Sequence, residues 1–181
     1  METGTSSSSG FSRVALGRLR PLFSPPDLSN DYVPQANDLG KVFELVWSFD
    51  GPTQSPSEVA TRFEFDPRQA FYYIEAAREL GLVQSVERTR LALTQAGLSI
   101  RGSDESGALR LFIERVVANP VVRGALDAVL SSPDDHVPKA AISKLVEEAS
   151  RGRYQRSTIG RRTESLISWM KWLENNSEFV K

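Results

Sequence analysis

The pattern of apolar and polar residues predicts a mainly helical chain. Apolar side chains recur at steps of three and four residues through most of the sequence after residue 38, the spacing that places them on one face of a helix. Prolines, glycines and short polar runs separate these periodic stretches. The predicted helices span residues 38–49, 67–80, 107–118 and 157–175, and further helices begin at Pro56, Pro120 and Pro138.

Residues 65–94 carry the most specific pattern, a capped helix followed by two short strands. Asp66 is a favoured N-cap residue, and Pro67 occupies the first helical position, where its missing N–H is not needed. Gly81 follows the last periodic residue, where a left-handed C-cap is expected. Residues 82–87 and 90–93 hold strand-forming side chains on either side of a polar tip. This order predicts the C-terminal half of a winged helix-turn-helix, which commonly meets a nucleic-acid groove.

Both helical regions follow one order, namely helix, polar break, helix, turn and capped helix, which indicates two degenerate copies of one architecture. We predict a mainly α (α+β) fold with two winged helix-turn-helix-like modules in tandem and small β-wings, although the second copy lacks an obvious second wing strand. The first module would span residues 31–102, and the second, with a basic helix, residues 103–181. Residues 1–30 are expected to form a flexible tail, because the first ten are too polar to bury.

Composition argues against several chemistries. The 181 residues include no cysteine, which excludes disulfides, cysteine-based zinc sites and a cysteine nucleophile. His136 is the single histidine, and we interpret it and the adjoining Asp134 and Asp135 as a solvated turn and not a metal cluster. No apolar run has the length of a membrane-spanning helix. We therefore expect a cytoplasmic protein without enzyme activity, cofactor, metal or membrane partner; an organelle transit peptide is the minor alternative for the N-terminus.

Charge is distributed unevenly along the chain. Its formal net charge is −1. Residues 137–181, however, hold nine Lys/Arg and five Asp/Glu, a local net charge of +4. Five arginines and no acidic residue lie between Arg151 and Arg162, beside the predicted N-terminus of the last helix. A phosphate backbone responds to such local charge, and a helix N-terminus favours anions, so this region predicts a DNA contact. A solvated basic surface is the alternative.

The candidate DNA-binding residues fall into two groups. In the second module, Ser157 is expected to cap the last helix, and the group consists of Arg151, Arg153, Arg156, Ser157, Thr158, Arg161, Arg162, Ser165 and Lys171. In the first module, the helix and hairpin supply Arg68, Gln69, Tyr72, Arg88 and Arg90. Trp169 and Trp172 are assigned to packing in preference to base stacking. We expect the second module to supply most of the affinity for double-stranded DNA.

Two blocks of sequence resemble winged-helix DNA-binding modules of bacterial restriction-modification and phage-defence-associated proteins. They are DPRQAFYYIEAARELGLVQ followed by LALTQAG, and STIGRRTESLISWMKWLEN near the C-terminus. The resemblance covers roughly residues 32–175 and implies DNA recognition, in transcription regulation or as an accessory subunit with a defence-system protein partner. This chain has no nuclease domain, so the resemblance implies no catalytic residue.

The role of the first module stays open between DNA and protein. Phe71 and Tyr72 are expected on its outer face, where they suit a protein interface, and Glu75 and Glu79 would repel a phosphate backbone. A homodimer, with this module or the helix that begins at Gly107 at the interface, is therefore one expectation. The alternative to a DNA-binding function is a protein-interaction adaptor whose winged helices contact partner proteins.

Overall fold

Nine α-helices and one β-hairpin make up the part of the chain that the computed structural model describes, residues 10–22, 32–133 and 136–180. The elements are α1 (Arg13–Gly17), α2 (Leu39–Trp47), α3 (Pro56–Arg62), α4 (Pro67–Glu79), β1 (Val83–Val86), β2 (Arg90–Leu93), α5 (Gln95–Arg101), α6 (Glu105–Ala118), α7 (Pro120–Ser131), α8 (Lys139–Ser150) and α9 (Arg156–Asn176), with 3₁₀ turns at Arg20–Leu22 and Ser177–Val180. The predicted mainly α, α+β class is confirmed. None of the described helices is both long and apolar enough to cross a membrane.

Local capping chemistry sets the boundaries of α3 and α4. Ser55 and Glu58, which have the three-residue spacing of a capping box, form a complete one at the start of α3. Asp66 caps α4 in the same way, and here Gln69 supplies the reciprocal bond to the N-cap backbone. Gly81 ends this region in the left-handed conformation, with φ +68°.

The hairpin is antiparallel and pairs Val83 with Leu93 and Val86 with Arg90. Its first strand is shorter than predicted, since β1 ends at Val86 and Glu87 turns with φ 53°. Gln54 adds an isolated bridge to Leu91, with N–H···O distances of 2.9 and 2.7 Å in the two directions. The chain between α2 and α3 therefore pairs with the hairpin and ties it to the helices.

Helix α5 was not predicted as a helix. Thr94 caps it by accepting from the Gly97 N–H at 3.2 Å, and Thr94 Oγ1 also donates to the Gly81 carbonyl at 2.7 Å. Gly97 is required by packing, because a Cβ there would lie 2.2 Å from the Leu82 carbonyl oxygen.

Helices α6 to α9 form the second region. Asp104 caps α6 and Asn119 caps α7, whereas α8 has no side-chain cap. No strand occurs in this region within residues 103–133 and 136–180. Within the described residues, a β-hairpin accompanies the first set of helices but not the second. The tandem winged-helix arrangement therefore remains a prediction.

One cluster of buried side chains extends over both predicted modules. Phe43 of α2 contacts Phe112 of α6 with ring centroids 5.4 Å apart, so the core is continuous across residue 102. Residues 10–22, which fall within the predicted flexible tail, bury Phe11, Leu16 and Leu19 in this core. That expectation is wrong for these residues, because their short apolar pattern gave too weak a helical signal; residues 1–9 and 23–30 of the predicted tail lie outside the described part of the chain.

Candidate nucleic-acid interface

A tight reversal of the chain connects α8 to α9 and carries the first arginines of the predicted cluster. Arg151 and Gly152 both adopt the left-handed conformation, with φ of 50° and 76°. Arg153 is exposed, and its Nε donates to the Ser150 carbonyl at 2.9 Å. This bond satisfies a carbonyl at the C-terminus of α8 and holds the stem of Arg153 against the loop.

The N-terminus of α9 begins at Arg156, with Gln155 as its N-cap residue. The prediction that Ser157 caps this helix is wrong, since Ser157 is the second helical residue and Gln155 makes no side-chain capping bond. Arg156 and Ser157 are exposed and Thr158 is half-buried. The positive end of the helix dipole is therefore not neutralised by a side-chain cap and favours an anion.

Arg161 completes an exposed row of cations on the first two turns of α9. The first acidic residue along the helix is Glu164, which forms an ion pair with Lys139 of α8. We define the basic surface as the exposed residues Arg151, Arg153, Arg156 and Arg161. All four side chains are exposed, and their clustering as a DNA contact stays a prediction.

Arg162 does not belong to the basic surface. Only 9% of this residue is exposed, and its guanidinium donates to the Val33 carbonyl. The same group lies 4.2 Å from the centroid of the Tyr154 ring, a cation–π contact. This burial contradicts the prediction that Arg162 contacts a phosphate. The segment before α2, which includes Val33, covers this side of α9, and a helical wheel of α9 does not reveal that cover.

Ser165 and Lys171 are also misplaced by the sequence prediction. Ser165 is 5% exposed, and its hydroxyl lies within hydrogen-bond distance of the Arg161 carbonyl at 3.2 Å. Lys171 is half-buried and donates to the Gly10 carbonyl and to Glu174. Both side chains serve the packing of α9, and Lys171 lies four turns away from Arg156 along the helix.

The first-module candidates on α4 already make hydrogen bonds within the chain. Arg68 Nε donates to the Tyr72 hydroxyl at 2.6 Å, and Arg68 remains exposed. Gln69 is exposed, but its Oε1 accepts from the Asp66 N–H at 3.2 Å in the capping box. A bidentate contact with adenine needs both the amide nitrogen and the oxygen of glutamine, and the capping bond leaves only the nitrogen of Gln69 unengaged.

A groove of about 450 Å³ separates the first half of α4 from α9 and brings candidates of both modules together. Gln69 and Tyr72 line one wall, and Arg161 and Ser168 line the other. The floor includes Asn37, whose Oδ1 accepts from the Tyr73 hydroxyl at 3.0 Å. Burial raises the pKa of the Tyr73 hydroxyl above its ordinary value, so this hydroxyl stays protonated as a donor.

The hairpin contributes one exposed arginine and one that is engaged. Arg88 is exposed in the turn. Arg90 donates to the Thr53 hydroxyl at 2.7 Å and pairs with Glu58 at 3.3 Å. The prediction that Arg90 makes a wing contact is not supported by this placement, because its guanidinium braces the hairpin against α3.

An apolar cleft of about 260 Å³ lies between α4 and the hairpin. Phe71 stands at this cleft with 55% of its surface exposed, as the sequence predicted. Pro56, Ile74 and Leu91 also line the cleft, and Glu75 is paired with Arg78 at its edge. An exposed aromatic ring beside an apolar cleft is typical of a protein contact and bears on the adaptor alternative.

Chemistry of other kinds has little support in the described residues. Within residues 10–22, 32–133 and 136–180, no three His, Cys, Asp or Glu side chains are grouped as a metal site would need. Of the predicted solvated turn at residues 134–136, only His136 is described, and it is exposed. Burial raises the pKa of Tyr32 to about 12, which makes this hydroxyl a poor base.

Sequence reasoning missed the residues that hold α9 in place. Tyr154 supports the buried Arg162 guanidinium, and the carbonyls of Val33 and Ala36 accept from Arg162 and Trp169. Trp169 is fully buried and Trp172 packs edge-on against Phe112 at 5.6 Å, which confirms that both tryptophans serve packing. A lone aromatic among arginines was the available signal for Tyr154, whereas the segment before α2 has no periodicity that could reveal its role.

Comparison with known proteins gives one match. A family model described as Domain of unknown function (DUF7226) matches residues 41–178, from within α2 to the last 3₁₀ turn. No curated protein and no solved structure matches the chain.

Proposed function

We propose that this chain, which belongs to the DUF7226 family, binds double-stranded DNA through the basic surface at the N-terminus of α9. The observation that carries the proposal is the placement of exposed Arg156 and Arg161 on the first two turns of a long helix that lacks a side-chain cap. Arginine pairs with phosphate in a bidentate manner, and the helix dipole adds attraction at this end. The biological role would be that of a transcription regulator or of an accessory subunit in a restriction or phage-defence system.

The order of elements in the first region supports the winged-helix part of the proposal. Helix α2, the Gln54 bridge, α3, α4 and the hairpin follow one another as in a winged helix-turn-helix. In that arrangement α4 is the recognition helix, and its first half faces α9 across the groove that Arg161 lines. We propose that α8 and α9 form a second helix-turn-helix unit.

A salt titration of duplex binding tests the proposal. The variant Arg156→Ala with Arg161→Ala should bind a labelled mixed-sequence duplex at least about tenfold more weakly. The slope of log K against log salt should fall by roughly one to two units, since each phosphate contact contributes about 0.9. The matched control is Arg18→Ala with Arg20→Ala, which removes two exposed arginines near the C-terminal half of α9 and should leave both quantities unchanged.

The outcomes separate specific from diffuse charge effects. If both double variants lower the slope equally, the contact is not at the basic surface. A wild-type chain that shows no salt-dependent binding to any duplex contradicts the DNA proposal altogether. The cleft beside Phe71 would then favour the second candidate, a protein-interaction adaptor, and capture of a defined partner that Phe71→Ala abolishes would support it.

A further inference from the structure

Gly160 lies in the second turn of α9 without a packing reason for being glycine. It is exposed, and a Cβ at this position would meet no atom of the described residues within 4 Å. Glycine in the body of a helix lowers stability relative to alanine, because the unfolded chain loses more conformational freedom on folding. The fold itself would therefore tolerate alanine at this position.

Three other glycines, which lie in the bodies of their helices, have a packing reason that Gly160 lacks. At Gly97 a Cβ would lie 2.2 Å from the Leu82 carbonyl oxygen, and at Gly124 it would lie 3.0 Å from the Leu145 side chain. At Gly40 a Cβ would lie 3.1 Å from the indole nitrogen of Trp172. These three glycines allow two segments of the chain to approach each other closely. Gly160 has no such neighbour among the described residues, and a glycine at its position would instead permit close approach by a bound molecule.

We propose that Gly160 is the point at which the backbone of α9 comes closest to the bound duplex, an inference that rests on the proposed function. Arg156 lies one turn before Gly160 on the same face, and Arg161 is its neighbour. Both side chains are exposed. The missing side chain lowers the helix surface between the two arginines, so that both can reach phosphates while the backbone rests against the sugar–phosphate chain.

The same geometry fixes how α9 approaches the DNA. Glu164 lies one turn after Gly160 on this face, and its ion pair with Lys139 leaves no net positive charge there to attract a phosphate. The contact is therefore confined to the first two turns, and α9 presents its N-terminal end to the duplex without lying lengthwise along it.

Substitutions at Gly160 separate stability from binding because the two should change in opposite directions. Gly160→Ala should raise the melting temperature by roughly 1–4 °C. It should also weaken duplex binding by about tenfold, since an added methyl group at a closely packed contact must displace its neighbour. Gly160→Leu, which also suits a helix, should weaken binding further.

Gly17 provides the matched control. It is the last residue of α1, and within the described part of the chain a Cβ there would also meet nothing within 4 Å. Helix α1 lies near the C-terminal end of α9, where the Ser12 N–H donates to Glu174. Gly17→Ala should leave duplex affinity unchanged.

The measurements are thermal melting and fluorescence anisotropy with the labelled duplex at one fixed salt concentration. Gly160→Ala and Gly160→Leu that bind like wild type would overturn the inference while leaving the proposed function intact. A lower melting temperature for Gly160→Ala would also overturn it, because the chain itself would then need the glycine. Absence of duplex binding by the wild-type chain would refute the proposed function, and the inference with it.

Discussion

Replacement of Arg162 should damage the stability of the fold and leave the phosphate contacts of the basic surface in place. The guanidinium donates to the Val33 carbonyl and stacks on the Tyr154 ring at 4.2 Å. A hydrogen bond from a charged donor contributes about 1.5–3 kcal/mol, and a desolvated cation–π contact about 0.5–2 kcal/mol. Part of this gain is offset, because Arg162 Nε is buried and has no hydrogen-bond partner among the described residues.

Two substitutions divide the effect. Arg162→Met keeps an apolar stem but leaves the Val33 carbonyl without its donor, which should cost about 2 kcal/mol. Arg162→Ala also loses the packing of the stem against Tyr154 and should cost about 3–4 kcal/mol. For a chain of this length the alanine variant should then melt roughly 6–15 °C lower.

Urea unfolding followed by tryptophan fluorescence gives the free energy of unfolding, with an unchanged m-value expected for both variants. Duplex binding is then measured where each variant is fully folded, and its salt slope should equal that of wild type. The exposed neighbour Arg161 serves as the reciprocal control, because Arg161→Ala should change stability by at most about 0.5 kcal/mol and lower the salt slope. Unchanged stability of Arg162→Ala together with a lower salt slope would refute the reasoning and place Arg162 on the DNA.

Three further predictions follow from other contacts. Trp169→Phe should lower the free energy of unfolding by about 1–3 kcal/mol in urea, because the buried indole donates to the Ala36 carbonyl at 2.8 Å; an unchanged value would contradict this role. The backbone N–H and hydroxyl of Ser55 hold the pKa of Glu58 below its ordinary value, so the resulting stabilisation is present above the unfolded pKa and disappears as pH falls through the folded pKa. Glu58→Gln should reduce the fall in melting temperature over this acid range, and a melting curve against pH parallel to that of wild type would argue against the contact. The homodimer stays a prediction: light scattering at micromolar concentration should give twice the mass of one chain, Phe71→Ala should shift it to one, and a wild-type monomer free and on DNA would rule it out.

Local chemistry made much of the fold predictable. The N-caps at Ser55 and Asp66 and the C-cap at Gly81 depend on residues within one turn, so the sequence carries their full signal. At α9 the same reasoning chose Ser157 over Gln155, because capping preference ranks serine higher than glutamine. There the helix begins two residues earlier than the preference suggested.

Burial by distant segments was not predictable in this way. A helical wheel gives the direction of Arg162 and Ser165 but not the identity of what lies in that direction. Residues 32–37 have no periodicity, yet their carbonyls accept from α9. Exposure of Arg156 and Arg161 could be predicted, since neither falls on the apolar face of the helical wheel, whereas their function stays a prediction.

The segment before α2 has a mechanical consequence. The Val33 and Ala36 carbonyls accept hydrogen bonds from α9, and Asn37 accepts one from Tyr73 of α4. One short stretch of chain is therefore bonded to both helices beneath the groove that they share. These hydrogen bonds help to set the distance between α4 and α9. If both touch one duplex, bending the DNA would accommodate a mismatch in spacing without breaking these hydrogen bonds. The affinity for a duplex would then depend on how easily the base steps between the two helices deform. Flexible pyrimidine–purine steps would be favoured even where no side chain reaches a base.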